Sequence, residues 1–391
     1  MKILISTGEV SGDLQGSMLI KSLVKEAKER SIDLEIYALG GERMEAAGAI
    51  LISKTVAIGA IGFWEAIPFV FPTIKAQAKV HKFLAGNLLD GVILIDYMGP
   101  NIRLGNKLKK YSPQVPIAYY IAPQEWAWRL GDGGTTDLIN FSDKILAIFE
   151  AESDFYSLKG GNVDWVGHPL LDEYKTLPSR KDSLLKLGLK TDQKLLLLFP
   201  ASRSQELKYI MPTLAEAASI IQKKDPSIYV LVPSGLEGFE NPLKVLLERY
   251  GVSGRVIPAE QVDSLKPFLF SAGDLALGKS GTINMELALC SVPQIVGYKV
   301  SRITAFFARK ILKFKVDHIS PVNLLLDERL VSEFIQEDFN PKIIAKAAMS
   351  LLENNHIRSE MLNGYKRLKC KLGLPGVSRR ASKLIFDLFQ K

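Results

Sequence analysis

Short, almost wholly apolar runs alternate along the chain with longer segments whose apolar positions recur at helical spacing. In the first half, runs at 2–6, 34–39, 91–96, 117–121, 144–149 and 164–166 read as strands. Segments 14–30, 70–88 and 101–111 read as helices. The same grammar restarts in the second half, with strands at 194–199, 228–232, 254–257, 274–277 and 294–297 and a helix at 206–223. Strands that alternate with helices predict a parallel sheet covered on both faces. The pattern therefore predicts an α/β protein of two Rossmann-like, doubly wound domains facing a cleft, where ligands usually bind in such folds. A stretch at 168–180 with Pro169, Pro178 and mixed charges reads as the linker, and 341–391 is nearly all helical with a break near 373–377. The expected divisions are 1–168, 169–365 and a helical tail, 366–391.

Composition narrows the partners. At 391 residues, two domains are expected, and 47% hydrophobic with 24% charged residues describes a packed chain. The net charge of +8 favours an anionic partner, but no dense Lys/Arg block marks a nucleic-acid surface. Cys290 and Cys370 stand alone, which fits a reducing compartment and no disulfide framework. The chain opens directly into a strand, with no signal peptide in view. Segment 57–72 contains Glu65, glycines and prolines and is too broken to span a bilayer as a helix. It collects Phe63, Trp64, Phe69 and Phe71, while 306–315 mixes aromatic and basic residues. Taken singly, each reads better as core packing with a solvated basic face. Together with the basic charge, they fit a peripheral position at an anionic membrane surface. His81, His168, His318 and His356 are scattered, and no Asp-x-Asp pair occurs, so neither a metal nor a cofactor is expected.

Five places carry candidate chemistry. The segment 274–286 reads as a short strand, a Ser280-Gly281-Thr282 turn and a helix beginning near Thr282. The start of a helix offers unpaired backbone N–H groups and a positive dipole end, which suits a diphosphate. Glu286 lies one turn further on, placed to reach a sugar diol of the same ligand. Residues 273–280 also satisfy the G-x-x-x-x-G-K-S phosphate-loop pattern. That pattern needs an open loop between its glycines, whereas here the intervening residues are the apolar strand, so the match reads as accidental.

Arg203 follows another predicted strand, where a bidentate cation suits a nucleotide phosphate. Asp96 ends the run 91–96 and is placed either to accept a proton from an attacking hydroxyl or to cap the next helix. Glu9, Ser11 and Asp13, with Gly8 and Gly12, crowd the end of the first strand, as a ligand loop or a well-capped strand-to-helix turn. Glu125, Trp126 and Arg129 crowd the turn after 117–121, a mixture suited to sugar faces and acyl chains.

These motifs, in this order, resemble those of the lipid-A-disaccharide synthase family, inverting glycosyltransferases of GT-B architecture. Gly8-Glu-Val-Ser-Gly-Asp13 is similar to the family's Gly-Glu-Ala-Ser-Gly-Asp, and Glu125-Trp-Ala-Trp-Arg129 to its Val-Trp-Ala-Trp-Arg. Val166-Gly-His-Pro-Leu170 matches as it stands, and Pro200-Ala-Ser-Arg203 resembles Pro-Gly-Ser-Arg. Ser280-Gly-Thr282 with Glu286, then Tyr298-Lys299 and Asn323-Leu-Leu325, follow in order.

The resemblance implies transfer of a diacylated glucosamine from UDP to the 6-hydroxyl of a diacylated glucosamine 1-phosphate, giving a β-1,6 disaccharide and UDP. It places Arg203, Ser280, Gly281 and Thr282 on the diphosphate and Glu286 on the ribose. It places residues 8–13, Asp96, Asn101 and the Glu125–Arg129 motif on the acceptor side, with Asp96 as base. Segment 57–72 would dock acyl chains at the inner face of the cytoplasmic membrane. A C-terminal tail would return to the first domain, exchanged between subunits where the protein is a homodimer.

There are departures. Asp96-Tyr-Met-Gly-Pro-Asn101 lacks the second acid of the family's Asp-Ala-Pro-Asp-Phe-Asn. Ala201 replaces a glycine, Lys279 a small residue, and Gln124-Glu125 a Ser-Val pair. Two other readings stand beside the transferase: a GT-B-like enzyme on UDP-N-acetylglucosamine such as an epimerase, and a non-catalytic protein that binds nucleotide-sugars or lipids.

Overall fold

The structure is a computed structural model that describes residues 1–8, 10–55, 75–76, 78–125, 133–200, 204–300 and 318–390. The chain divides into two compact units, Met1–Glu173 with Lys371–Lys391, and Tyr174–Cys370. The sequence places these divisions at 168/169 and 365/366; the compact units part five residues later in each case.

The first unit is built on a parallel sheet of seven strands: β1 (Lys2–Ser6), β2 (Glu35–Gly40), β3 (Ile50–Lys54), β4 (Gly91–Ile95), β5 (Ile117–Tyr120), β6 (Lys144–Ala147) and β7 (Val163–Trp165). Their order is β3-β2-β1-β4-β5-β6-β7. Every residue of β4 and β5 is buried, the consequence of apolar side chains at successive positions in strands covered on both faces. The core around them gathers Leu4, Leu94, Leu104, Tyr119, Phe141 and Tyr156.

The second unit repeats the plan with six parallel strands: β8 (Lys194–Phe199), β9 (Ile228–Pro233), β10 (Gly254–Ile257), β11 (Leu275–Lys279), β12 (Gln294–Tyr298) and β13 (Ser332–Ile335). Their order is β10-β9-β8-β11-β12-β13. In each sheet the chain winds outward first to one side and then to the other, so the order reverses between β1 and β4 and between β8 and β11. Such reversal points, at the carboxyl ends of the strands, are where doubly wound sheets leave room for a ligand.

The predicted strands recur within two residues at each end. The two strands that escape sequence reading, β3 and β13, lie at sheet edges and are half exposed, so they lack the continuous burial of central strands such as β4, β5 and β8. The helix predicted at 14–30 begins earlier, at Val10, and that predicted at 101–111 begins at Met98.

The stretch read as a linker carries a short helix, Leu170–Glu173, and the start of the Arg180–Lys186 helix, which Ser179 caps. The C-terminal stretch forms three helices, Pro341–Glu353, Asn355–Lys371 and Val377–Phe389. The last buries Val377, Ala381, Ile385, Phe386 and Phe389 along one face and packs on the Val10–Glu29 helix. Its first turn is held by Asp172, whose carboxylate accepts from the N–H groups of Gly376 and Ser378.

Candidate active site

In the first unit, the reversal point brings together the ends of β1 and β4. Gly8 lies against the Tyr97 ring so closely that a Cβ there would fall 2.2 Å from it, and a Cβ on Gly12 would fall 1.9 Å from Thr7 Oγ1. The two glycines are thus required by close approach. Asn101, fully buried, fastens the two strand ends: its Nδ2 reaches the carbonyls of Ser6 (3.2 Å), Ile95 (3.1 Å) and Asp96 (2.8 Å). Its Oδ1 accepts from Ser6 Oγ at 2.7 Å.

Asp96 and Tyr97 both occupy the left-handed region, with φ of 45° and 53°. Neither is glycine, and strained backbone of this kind persists only where its surroundings hold it. Here the Asp96 carbonyl also accepts from Tyr119 Oη at 2.7 Å, and the Asp96 N–H donates to the Ile121 carbonyl at 3.1 Å. Ile121 is left-handed as well, at φ 61°. Burial, with the Asp96 charge adding to it, raises the Tyr119 phenol well above its ordinary range, so it remains a donor. The result is a half-exposed carboxylate on a rigid backbone.

Ser11 is half-buried at the start of the Val10–Glu29 helix. Asp13 is placed differently from the ligand-facing expectation. It is buried, and its carboxylate accepts from the N–H groups of Gly41 (2.8 Å), Arg43 (3.2 Å) and Met44 (3.1 Å). It thereby caps the Glu42–Ala46 helix, which has no side-chain cap of its own. Glu125 is buried beside Gly134.

Glu152 is an acid that sequence reading missed. Its carboxyl is buried and accepts from Ala122 N (2.9 Å) and Ile148 N (3.1 Å), tying the segments after β5 and β6 together. Burial pushes its pKa up to about 8, against the pull of those N–H donors.

In the second unit, β11 includes the apolar residues between Gly273 and Lys279. The phosphate-loop match therefore falls on a strand. The Ser280–Thr282 turn follows β11 directly at the reversal point, next to β8, whose Phe199 pairs with Gly278. The helix after it, Ile283–Leu289, starts with Thr282 at its N-cap, as the sequence predicts.

The turn is less open than that prediction held. The Gly281 N–H donates to Asn284 Oδ1 at 2.9 Å, Asn284 Nδ2 donates to the Lys279 carbonyl at 3.2 Å, and Ser280 Oγ donates to the Ile319 carbonyl. The Thr282 hydroxyl makes no capping bond. Glu286 is buried and already partnered: Lys266 Nζ stands 2.7 Å and Tyr174 Oη 2.6 Å from its Oε2. An Asn three positions after Gly281 was the one local signal; Lys266 and Tyr174 left none.

Glu9, Phe63, Trp64, Phe69, Phe71, Trp126, Arg129 and Arg203 lie outside the described residues. So do residues 306–315. Among the described residues no group of three or more His, Cys, Asp and Glu side chains converges. No helix among them is long and apolar enough to cross a membrane.

Residues 3–382 match the family described as Lipid-A-disaccharide synthetase. The chain is 59% identical over 388 residues to the lipid-A-disaccharide synthase of Prochlorococcus marinus (strain MIT 9313), covering 99% of each chain. It is 46% identical over 387 residues to that of Gloeothece citriformis (strain PCC 7424), covering 99% of this chain and 100% of the relative.

Solved structures share the fold at low identity. The S. aureus MnaA–UDP co-structure superimposes with a TM-score of 0.64 at 14% identity, covering 100% of this chain and 98% of that one. Acinetobacter baumannii MurG gives 0.55 at 12% identity, covering 99% of each. The architecture is GT-B, two doubly wound units with a C-terminal helix.

Proposed function

The chain belongs to the lipid-A-disaccharide synthase family, and from that premise we propose that it joins two acylated glucosamines. It is a hexosyltransferase that uses a UDP-linked 2,3-diacylglucosamine as donor and 2,3-diacylglucosamine 1-phosphate as acceptor. The products are a β-1,6-linked tetraacyl disaccharide 1-phosphate and UDP. The observation that carries this is the near full-length match at high identity to proteins of that name. An epimerase and a non-catalytic binding protein, the two other readings of the motifs, have no comparable support.

In our reading the first unit supplies the base. The acceptor 6-hydroxyl gives its proton to the Asp96 carboxylate while its oxygen bonds to the anomeric carbon of the donor. The bond from that carbon to the diphosphate oxygen breaks, and UDP leaves with the electron pair. Attack from the face opposite the leaving group inverts the anomeric centre. Support for Asp96 comes from its doubly held carbonyl and strained turn at the reversal point.

The second unit holds the donor. Arg203 follows β8 in the sequence and the Ser280–Thr282 turn follows β11, and β8 and β11 are the neighbouring strands at which the sheet order reverses. That adjacency supports their joint role in stabilising the charge on the departing diphosphate. Glu286 takes the ribose.

The enzyme works at the inner face of the cytoplasmic membrane without crossing it. Phe63, Trp64, Phe69 and Phe71 enter the acyl region while the net charge of +8 favours anionic headgroups. Co-sedimentation with anionic vesicles should weaken with salt and with Phe69→Ser and Phe71→Ser together. Binding indifferent to both would remove the membrane assignment.

The function itself is tested by mass spectrometry of the product from defined acylated donor and acceptor, with UDP release followed in parallel. The expected product is the tetraacyl disaccharide 1-phosphate. UDP binding with no disaccharide formed would instead favour the non-catalytic reading.

A further inference from the structure

Glu286 carries both of its hydrogen bonds on one oxygen. Tyr174 Oη donates to Oε2 across 2.6 Å, and Lys266 Nζ donates to the same atom across 2.7 Å. Among the described residues, no donor reaches Oε1. The Glu286 side chain is 4% exposed and that of Lys266 17%. Taking an acid and a cation out of water is costly, and a pair serving the fold alone recovers that cost best when both carboxylate oxygens are filled. Here one is filled and the other is left.

The tyrosine donor is itself held by packing. Tyr174, the first residue of the second unit, packs edge-on against Phe270, with ring centroids 5.5 Å apart and planes at 67°. Phe270 in turn lies 6.1 Å from Phe199, the last residue of β8. Both lone pairs of Oε2 are occupied by these two donors, which leaves Oε1 as the oxygen open to a vicinal diol. Glu286 stands one helical turn past the Ser280–Thr282 turn, and about 5.4 Å of rise is the right order of separation between a diphosphate and its ribose.

We propose that Tyr174 and Lys266 are positioning residues that lock Glu286 as a one-oxygen acceptor, so that it takes a single ribose hydroxyl of the bound nucleoside diphosphate through Oε1. This rests on the donor reading above and makes it more specific: one ribose hydroxyl is recognised by the carboxylate and the other is not. It also ties the first residue after the boundary between the units to the nucleotide.

The test is calorimetric titration of the full chain with UDP, 2′-deoxy-UDP and 3′-deoxy-UDP, for wild type, Tyr174→Phe and Lys266→Met. Wild type should bind one deoxy analogue roughly tenfold more weakly than UDP and the other nearly as well, since a hydrogen bond to a charged group is at stake. Tyr174→Phe keeps the ring packing but removes the hydroxyl. It should weaken UDP several-fold and narrow the gap between the analogues, because Lys266 alone then holds Oε2.

Equal loss for both analogues in wild type would overturn the proposal. So would an analogue gap unchanged in Tyr174→Phe. Should Lys266→Met fail to fold, the Tyr174→Phe arm decides alone. Absence of any UDP binding by wild type would bring down the donor reading itself, and this proposal with it, an outcome distinct from the others.

Discussion

Tyr119 and Asp96 are joined through the backbone: the buried phenol donates to the Asp96 carbonyl across 2.7 Å, beside the Asn101 amide at 2.8 Å. Two donors on one carbonyl hold a turn in which successive non-glycine residues are left-handed, each strained by about 1–3 kcal/mol. Tyr119→Phe removes one of the two and leaves the ring in place. Turnover should fall about fivefold, in line with about 1 kcal/mol for one hydrogen bond, while UDP affinity stays as it was. Steady-state rates with calorimetry of UDP separate the two effects. A matching loss of UDP affinity would show that the phenol does not act through the Asp96 turn.

Asp96→Asn keeps the size of the side chain and the backbone bonds that hold the turn, but removes the proton acceptor. The turnover number should fall by about 10²–10⁴, the range for losing a general base, with UDP binding retained. Near-normal turnover in the product assay would strip Asp96 of that role. The family's second acid, absent after Asp96 in this chain, would then have no stand-in at this turn.

How much of this could be read in advance depended on how local the cause was. The runs that became β4, β5 and β8 announced themselves because strands buried on both faces need apolar residues throughout. Of the four edge strands, which have no such need, β3 and β13 were silent, while β7 and β10 were still legible. The Ser280–Thr282 turn and its helix were legible as a strand, a glycine turn and a first helical residue. What was not legible is which groups were already occupied. Glu286 reads as a free carboxylate until the fold brings up Tyr174, 112 positions away, and Lys266, 20 away. Gly8 and Gly12 look like ligand-loop glycines, yet their neighbours are the Tyr97 ring and Thr7. Asp13 reads as a ligand for the same reason, and the structure gives it three backbone N–H groups instead.

That assignment has a direct consequence. Asp13→Ala leaves the N–H groups of Gly41, Arg43 and Met44 without their buried acceptor, at a helix start that has no other side-chain cap. Stability should drop by at least about 2 kcal/mol, read as a lower urea midpoint with unchanged slope. Asp13→Asn, which keeps an acceptor oxygen but loses the charge, should fall between the two. A variant as stable as wild type but inactive would return Asp13 to the ligand loop.

Two buried groups give the stability a defined pH profile. Burial pushes His168 down from 6.5 to about 3, so the folded chain holds it neutral while the unfolded chain protonates it below 6.5. The unfolded state therefore binds more protons between those values, and stability is lost as pH falls from 6.5 toward 3. Glu152 has the opposite sign. Burial raises it from 4.5 to about 8, so the folded chain keeps a proton that the unfolded chain gives up above 4.5. Its contribution is complete below 4.5 and is lost as pH rises toward 8. Where the windows overlap, between 4.5 and 6.5, the two slopes offset; above 6.5 only Glu152 acts. Each slope is at most about 1.4 kcal/mol per pH unit. Glu152→Gln has no proton to lose, so its urea midpoint should decline less than that of wild type between pH 6.5 and 8. His168→Asn, which keeps an acceptor for the Leu170 N–H, should flatten the acid side instead. Parallel curves for wild type and Glu152→Gln across the alkaline window would mean that Glu152 is already ionised in the folded chain, with the Ala122 and Ile148 N–H groups outweighing its burial.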